Sequence, residues 1–214
     1  IGRAAFDAFL RDYFDHFAFQ SIATEQFRGY LDEHLLSEHA ETIQPAEVDK
    51  WIHEPGLPDT APIPDDSVFD RVRVASSEWL AGGRSPHELG ARDWNTQEWL
   101  YFLNNLPENL ALEKMRGLDA AYALTESQNS EIAHSWLKLA IKRDYERAKE
   151  RLEQYLMRIG RIKLVEPLYK ALAERGEAGQ AKAREILQQA RDGYHPLTVS
   201  AIEAVLSEAD KVGN

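Results

Sequence analysis

Asn129-Ser130-Glu131-Ile132-Ala133-His134-Ser135-Trp136-Leu137-Lys138-Leu139-Ala140-Ile141 is the stretch that decides the fold class. Ile132, Trp136 and Ala140 recur at intervals of four, and Leu137 and Ile141 repeat that interval beside them. These positions gather on one face only if the chain is helical. Asn129 or Ser130 supplies a side-chain oxygen to cap the first turn. Toward the carboxy terminus, Asp144 is expected to open a helix with Ala148, Leu152, Tyr155 and Leu156, stopped by Gly160. Helices follow over Leu164–Ala173 and about 178–191, and His195-Pro196 opens a last one with Ile202 and Leu206 inward. Toward the amino terminus a helix is predicted over about 110–124. Another starts at Asn95 or Thr96 with Trp99, Leu100, Leu103 and Leu106, and a third is capped by Asp66 or Ser67 with Val68, Val72, Ala75 and Trp79.

The same period continues to the start of the chain. Pro45 begins a short helix bearing Val48 and Trp51, and Thr24 caps one through about Leu36. Phe6, Phe9, Leu10, Tyr13, Phe14 and Phe17 form a stripe over 4–17. The connection at roughly 54–66 cannot be regular helix, because Pro55, Pro58, Pro62 and Pro64 fix φ and remove donors. No alternating strand pattern appears. About eleven helices joined mostly by brief loops predict an all-α chain, an αα-superhelix or bundle without a strict repeat period. A single domain over 1–214 is expected, with the five tryptophans mostly in its core.

The 214 residues carry a formal net charge of -11, which weighs against nucleic acid as a partner. No apolar run approaches the roughly 20 residues of a membrane span, so no membrane partner is expected. There is no cysteine, hence no thiol nucleophile, thiolate metal site or disulfide. A cytoplasmic location is expected, with the periplasm left open. Charge is uneven: residues 1–66 hold four basic and fourteen acidic side chains, whereas 138–163 hold nine basic and four acidic. Ile1 is not an initiator Met and reads as a cut inside a longer chain.

Metal-ligand spacing fails wherever histidine occurs. His53-Glu54-Pro55-Gly56-Leu57 lacks the second His of H-E-x-x-H, and its Pro-Gly breaks the helix that the motif needs. His34 and His39 lie five apart and face differently on a helix. No metal and no catalytic residue is expected in this chain. The segment Gly160-Arg161-Ile162-Lys163 is different. Read as extended chain after a helix stop, it turns Arg161 and Lys163 to one side and Ile162 into the core. Two cations there, one of them a planar fork, suit a carboxylate; ordinary helix capping is the plainer use of such residues.

Gly160-Arg161-Ile162-Lys163, followed by Pro167-Leu168-Tyr169-Lys170 and Leu172, resembles the G-R-x-K…P-L-aromatic-K-x-L segment of the leukotriene A4 hydrolase family of aminopeptidases. Four further stretches resemble that family in the same order. They are Ser21-Ile22-Ala23-Thr24, Trp51 through Pro58, Asn129-Ser130-Glu131-Ile132 with Trp136-Leu137, and His195-Pro196-Leu197-Thr198. The resemblance implies a two-layered αα-superhelix of the HEAT or armadillo kind. It implies a carboxy-terminal domain of a zinc aminopeptidase, expected to be of bacterial type, whose amino-terminal and zinc-bearing catalytic domains lie outside this chain. Zinc is then a cofactor of that catalytic domain alone, and the fragment is expected to be inactive by itself. The implied partners are the zinc domain of the same polypeptide and short peptide substrates. Arg161 is implied to bind the substrate carboxylate, with Lys163 assisting. The alternative is a helical-repeat interaction module with no catalytic role.

Overall fold

Capping side chains and glycine or proline breaks divide the sequence into eleven α-helices in a computed structural model that describes residues 1–212. Among the described residues there is no β-strand. The chain forms two compact units, residues 1–65 and 66–214.

The first unit contains α1 (Arg3–His16), α2 (Thr24–Leu31) and α3 (Pro45–His53). Its core is small and aromatic. Phe9, Tyr30, Leu31, Leu35 and Leu36 are buried, and Leu10, Tyr13, Phe17, Phe27, Ile43 and Val48 pack against them. Tyr13 and Tyr30 meet edge-on with ring centroids 5.8 Å apart, an arrangement favoured by the ring quadrupoles. The helix expected to run from Thr24 to Leu36 changes pitch: Asp32–Leu36 is a π-turn, closed by Ser37 N–H donating to Asp32 O. The wider turn accompanies a stack of His34 on Tyr30, 4.0 Å between centroids, and burial of both Leu35 and Leu36. Arg28 joins the elements by pairing with Asp32 at 2.5 Å and Asp49 at 2.7 Å. Trp51, expected inside, is 50% exposed. It sits on a nine-residue helix none of whose residues is buried.

The second unit contains α4 (Asp70–Leu80), α5 (Thr96–Asn104), α6 (Leu112–Tyr122), α7 (Ser130–Arg143), α8 (Lys149–Arg158), α9 (Ile162–Ala173), α10 (Gly176–Ala190) and α11 (Pro196–Val212). Short 3₁₀ turns at Ser67–Phe69, Pro86–Leu89, Ala91–Asp93, Glu146–Ala148 and Arg191–Gly193 join them. Helices α5, α7, α9 and α11 pack in succession, and α10 lies against α8, α9 and α11. That is two layers, with α9 touching α7, α10 and α11. The sequence of α9 matches this central place: Leu164, Val165, Leu168, Tyr169, Ala171, Leu172 and Ala173 are buried, far more than one amphipathic stripe.

Of the two expected starts, Asn95 or Thr96, it is Asn95 that caps α5, its side chain accepting from Glu98 N–H while Glu98 accepts from Asn95 N–H. Glu98 also meets Arg71 at 2.6 Å, a contact that lowers its pKa. Asp144 does not open α8. It takes a left-handed conformation at the end of α7, and α8 begins only after a 3₁₀ turn. A short polar side chain tolerates that conformation, which makes Asp144 a helix stop here. A buried polar knot fastens the same region. Asp119 accepts from Thr125 N–H and Thr125 Oγ1, both at 2.8 Å, and from the Tyr145 hydroxyl at 3.0 Å. Trp136 Nε1 donates to Thr125 Oγ1 at 3.0 Å. Burial, reinforced by the neighbouring Asp119 carboxylate, pushes the Tyr145 hydroxyl up to about 12, so it stays a donor. Between α9 and α10 the backbones nearly touch: a Cβ on Gly179 would lie 2.1 Å from Leu172 O.

Candidate functional site

The site grows from two helix starts. At α7, Asn129 caps the helix, its Oδ1 accepting from Glu131 N–H at 3.0 Å and Ile132 N–H at 3.3 Å. Its amide also donates to Thr96 Oγ1 at 3.0 Å, so the cap ties α7 to α5. Tyr155 on α8 donates to Ser130 O at 2.9 Å; burial pushes this hydroxyl up to about 12, which keeps its proton in place. Glu131 is thereby held in the first turn of α7.

At α9, Gly160 lets the incoming chain lie against the segment before α11. A Cβ at 160 would be 3.2 Å from Gly193 O and 3.6 Å from the Tyr194 ring. Thr198 Oγ1 donates to Gly160 O at 3.3 Å. Tyr194 donates to Leu156 O at 2.5 Å, and the Tyr169 and Tyr194 hydroxyls are 3.3 Å apart. Two sequence stretches that looked separate, Gly160-Arg161 and His195 through Thr198, are thus parts of one clamp.

Arg161 occupies the N-cap of α9 with extended backbone, φ −74° and ψ 116°, and its carbonyl accepts from Leu164 and Val165 N–H. The expected extended run through Lys163 does not occur. The helix begins at Ile162, so Ile162 is not turned into the core and is 39% exposed. Arg161 and Lys163 nevertheless meet at one point, and what unites them is a residue not singled out as a site residue from the sequence. Lys163 Nζ lies 3.1 Å from each Glu131 carboxylate oxygen, and Arg161 Nη1 is 3.7 Å from Glu131 Oε1. The two cations are 65% and 62% exposed and Glu131 30%. Glu131 lies thirty positions from Arg161 and thirty-two from Lys163 in the chain; its place in the Asn129-Ser130-Glu131-Ile132 motif was the available signal.

His134, one turn beyond Glu131, donates from Nδ1 to Leu164 O at 2.8 Å and so pins α7 to the first turn of α9. Burial is the main cause of its lowered pKa, with smaller contributions from Lys138 and Lys163. Pro167 sits inside α9 and has no N–H to offer the Lys163 carbonyl one turn back. The arrangement presents two exposed cations beside one carboxylate. Among the described residues no group of three or more His, Asp or Glu side chains converges to hold a metal ion. No described helix is long and apolar enough to cross a membrane.

A family model described as leukotriene A4 hydrolase, C-terminal, matches residues 94–206, which include every residue of this site. Aminopeptidase B of Mus musculus is 26% identical over 216 residues, covering 96% of this chain and 33% of that protein. Leucine aminopeptidase 2 of Aspergillus clavatus is 28% identical over 211 residues, covering 95% and 34%. The solved structure of yeast LTA4 hydrolase in complex with bestatin matches with a TM-score of 0.68 at 26% identity, covering 96% of this chain and 36% of that one. The chain thus spans about a third of the length of these relatives. They are mammalian and fungal, and the expected bacterial type draws no support from them.

Proposed function

The chain belongs to the leukotriene A4 hydrolase C-terminal family, and from that membership we propose that it is the carboxy-terminal domain, both units included, of a zinc aminopeptidase. In this reading it forms one wall of the substrate cleft and anchors the free carboxylate of short peptides through Arg161 and Lys163. The supporting observation is that these two exposed cations already share a carboxylate, that of Glu131. A geometry that grips one carboxylate can grip another. Hydrolysis belongs to the zinc domain elsewhere in the polypeptide, and this chain binds and orients. Orientation is worth much of the rate, because a peptide fixed at its far end presents its amino end at a defined distance. Without that domain the chain is inactive.

The test compares a tripeptide with its amide in the full-length enzyme. Arg161→Ala removes a charge-assisted contact worth about 1.5–3 kcal/mol, so kcat/KM for the free acid should fall roughly 10- to 150-fold. The amide should change little. Arg161→Lys should recover part of the loss, since an ammonium keeps the charge and loses the fork. Equal losses on acid and amide would show that Arg161 acts on structure, and the anchoring reading would be abandoned.

A further inference from the structure

The carboxylate of Glu131 is placed where it must affect any anion that the two cations bind. Its two oxygens lie within 3.1 Å of Lys163 Nζ, and one is 3.7 Å from Arg161 Nη1. Its backbone N–H is held by Asn129 and the α7 start by Tyr155, and the carboxylate itself is engaged by the two cations. An anion beside two cations leaves the group with one net positive charge. The neighbouring His134 adds none at neutral pH, since burial keeps its imidazole uncharged.

We propose that Glu131 sets the charge specificity of this anchor: by offsetting one of the two cations it fits the site to a ligand end bearing a single carboxylate and penalises a second negative charge there. This rests on the carboxylate-anchoring reading above. The chemical class favoured is a peptide whose last residue is uncharged. A terminal Asp or Glu brings two carboxylates to a site with one positive charge to spare.

Charge is the variable that tests this. Unit charges about 6 Å apart in a half-solvated setting interact strongly enough to change binding about three- to tenfold. Glu131→Gln keeps the shape and an oxygen acceptor and removes the charge. In the full-length enzyme its effect should be graded by ligand charge. Ala-Ala-Ala-amide should keep its kcat/KM, Ala-Ala-Ala should gain about three- to tenfold, and Ala-Ala-Asp should gain by that factor again. Glu131→Asp keeps the charge and should show no such gradient. The gradient should flatten as salt is raised from 0.05 to about 0.5 M, because the cations are exposed. A uniform change across the three peptides, or a loss on the free acids, would overturn the proposal, the second outcome meaning that Glu131 serves to hold the cations in place. Arg161→Ala run alongside separates the two readings. A loss confined to the free acids together with an ungraded Glu131→Gln sinks this inference alone, and equal losses on acid and amide sink both.

Discussion

The two units are built from the same element and hold themselves together differently. The first has five buried residues and an aromatic cluster, with Phe14, Phe19, Trp51, Leu57 and Ile63 left well exposed. The second buries a continuous apolar core from Val72 to Leu206, with a hydrogen-bonded polar knot at Asp119 inside it. It also holds the basic stretch, whereas residues 1–66 are strongly acidic. The anchor proposed at Arg161 and Lys163 stands on the deeply packed unit, where exposed side chains rise from a rigid base.

That contrast can be broken most directly at Trp136, which is fully buried and donates to Thr125. Trp136→Ala should cost about 4–5 kcal/mol through lost packing and the loss of the bond that Thr125 Oγ1 accepts, although that hydroxyl still donates to Asp119. Amide exchange should accelerate across 66–214. In the first unit, Phe9→Ala should cost less, about 2–3 kcal/mol, because a shallow core collapses more readily around the gap. Its faster exchange should stay within 1–65. If either substitution loosens both units alike, the two cores are one cooperative structure and the comparison fails. The smallest effect is a titration. His134 has a folded pKa below its ordinary value of about 6.5. Its contribution to stability is therefore complete above that pH and is lost as pH falls through the lower folded value. Between pH 7.5 and 5 the melting temperature of the second unit should drop more in the wild type than in His134→Gln. Parallel curves would mean that His134 takes up its proton at no cost to the fold.

Much of this architecture was legible because it is local. Asn95 and Asn129 announce their helices by a cap chemistry that needs only the next three residues. An extended reading sets Arg161 and Lys163 on one side, and the helix start at Ile162 replaces it. What could not be read depends on contacts remote in sequence. Ile162 faces outward because the chain enters helix at that residue, which a period-two reading of four residues cannot detect. Asp144 works as a left-handed stop, although an acidic residue before an apolar stripe reads equally well as a start. The π-turn at Asp32–Leu36 accompanies the stacking of His34 on Tyr30, and no periodicity within the segment encodes it. Glu131 is the instructive omission: its pairing with Lys163 joins residues on different helices, and only the packing of α7 on α9 brings them together.

Gly179 gives the corner between α9 and α10 a mechanical meaning. A glycine inside a helix costs about 1 kcal/mol relative to alanine, so a routine stabilising redesign would replace it. Here the added methyl would drive into Leu172 O and the Arg175 side chain. Since α9 carries Arg161 and Lys163 at its other end, such a wedge would act on the helix that bears the proposed anchor. Position 179 is therefore a keystone: alanine there forces backbone to give way, and the rule that prefers alanine to glycine inside a helix reverses its sign.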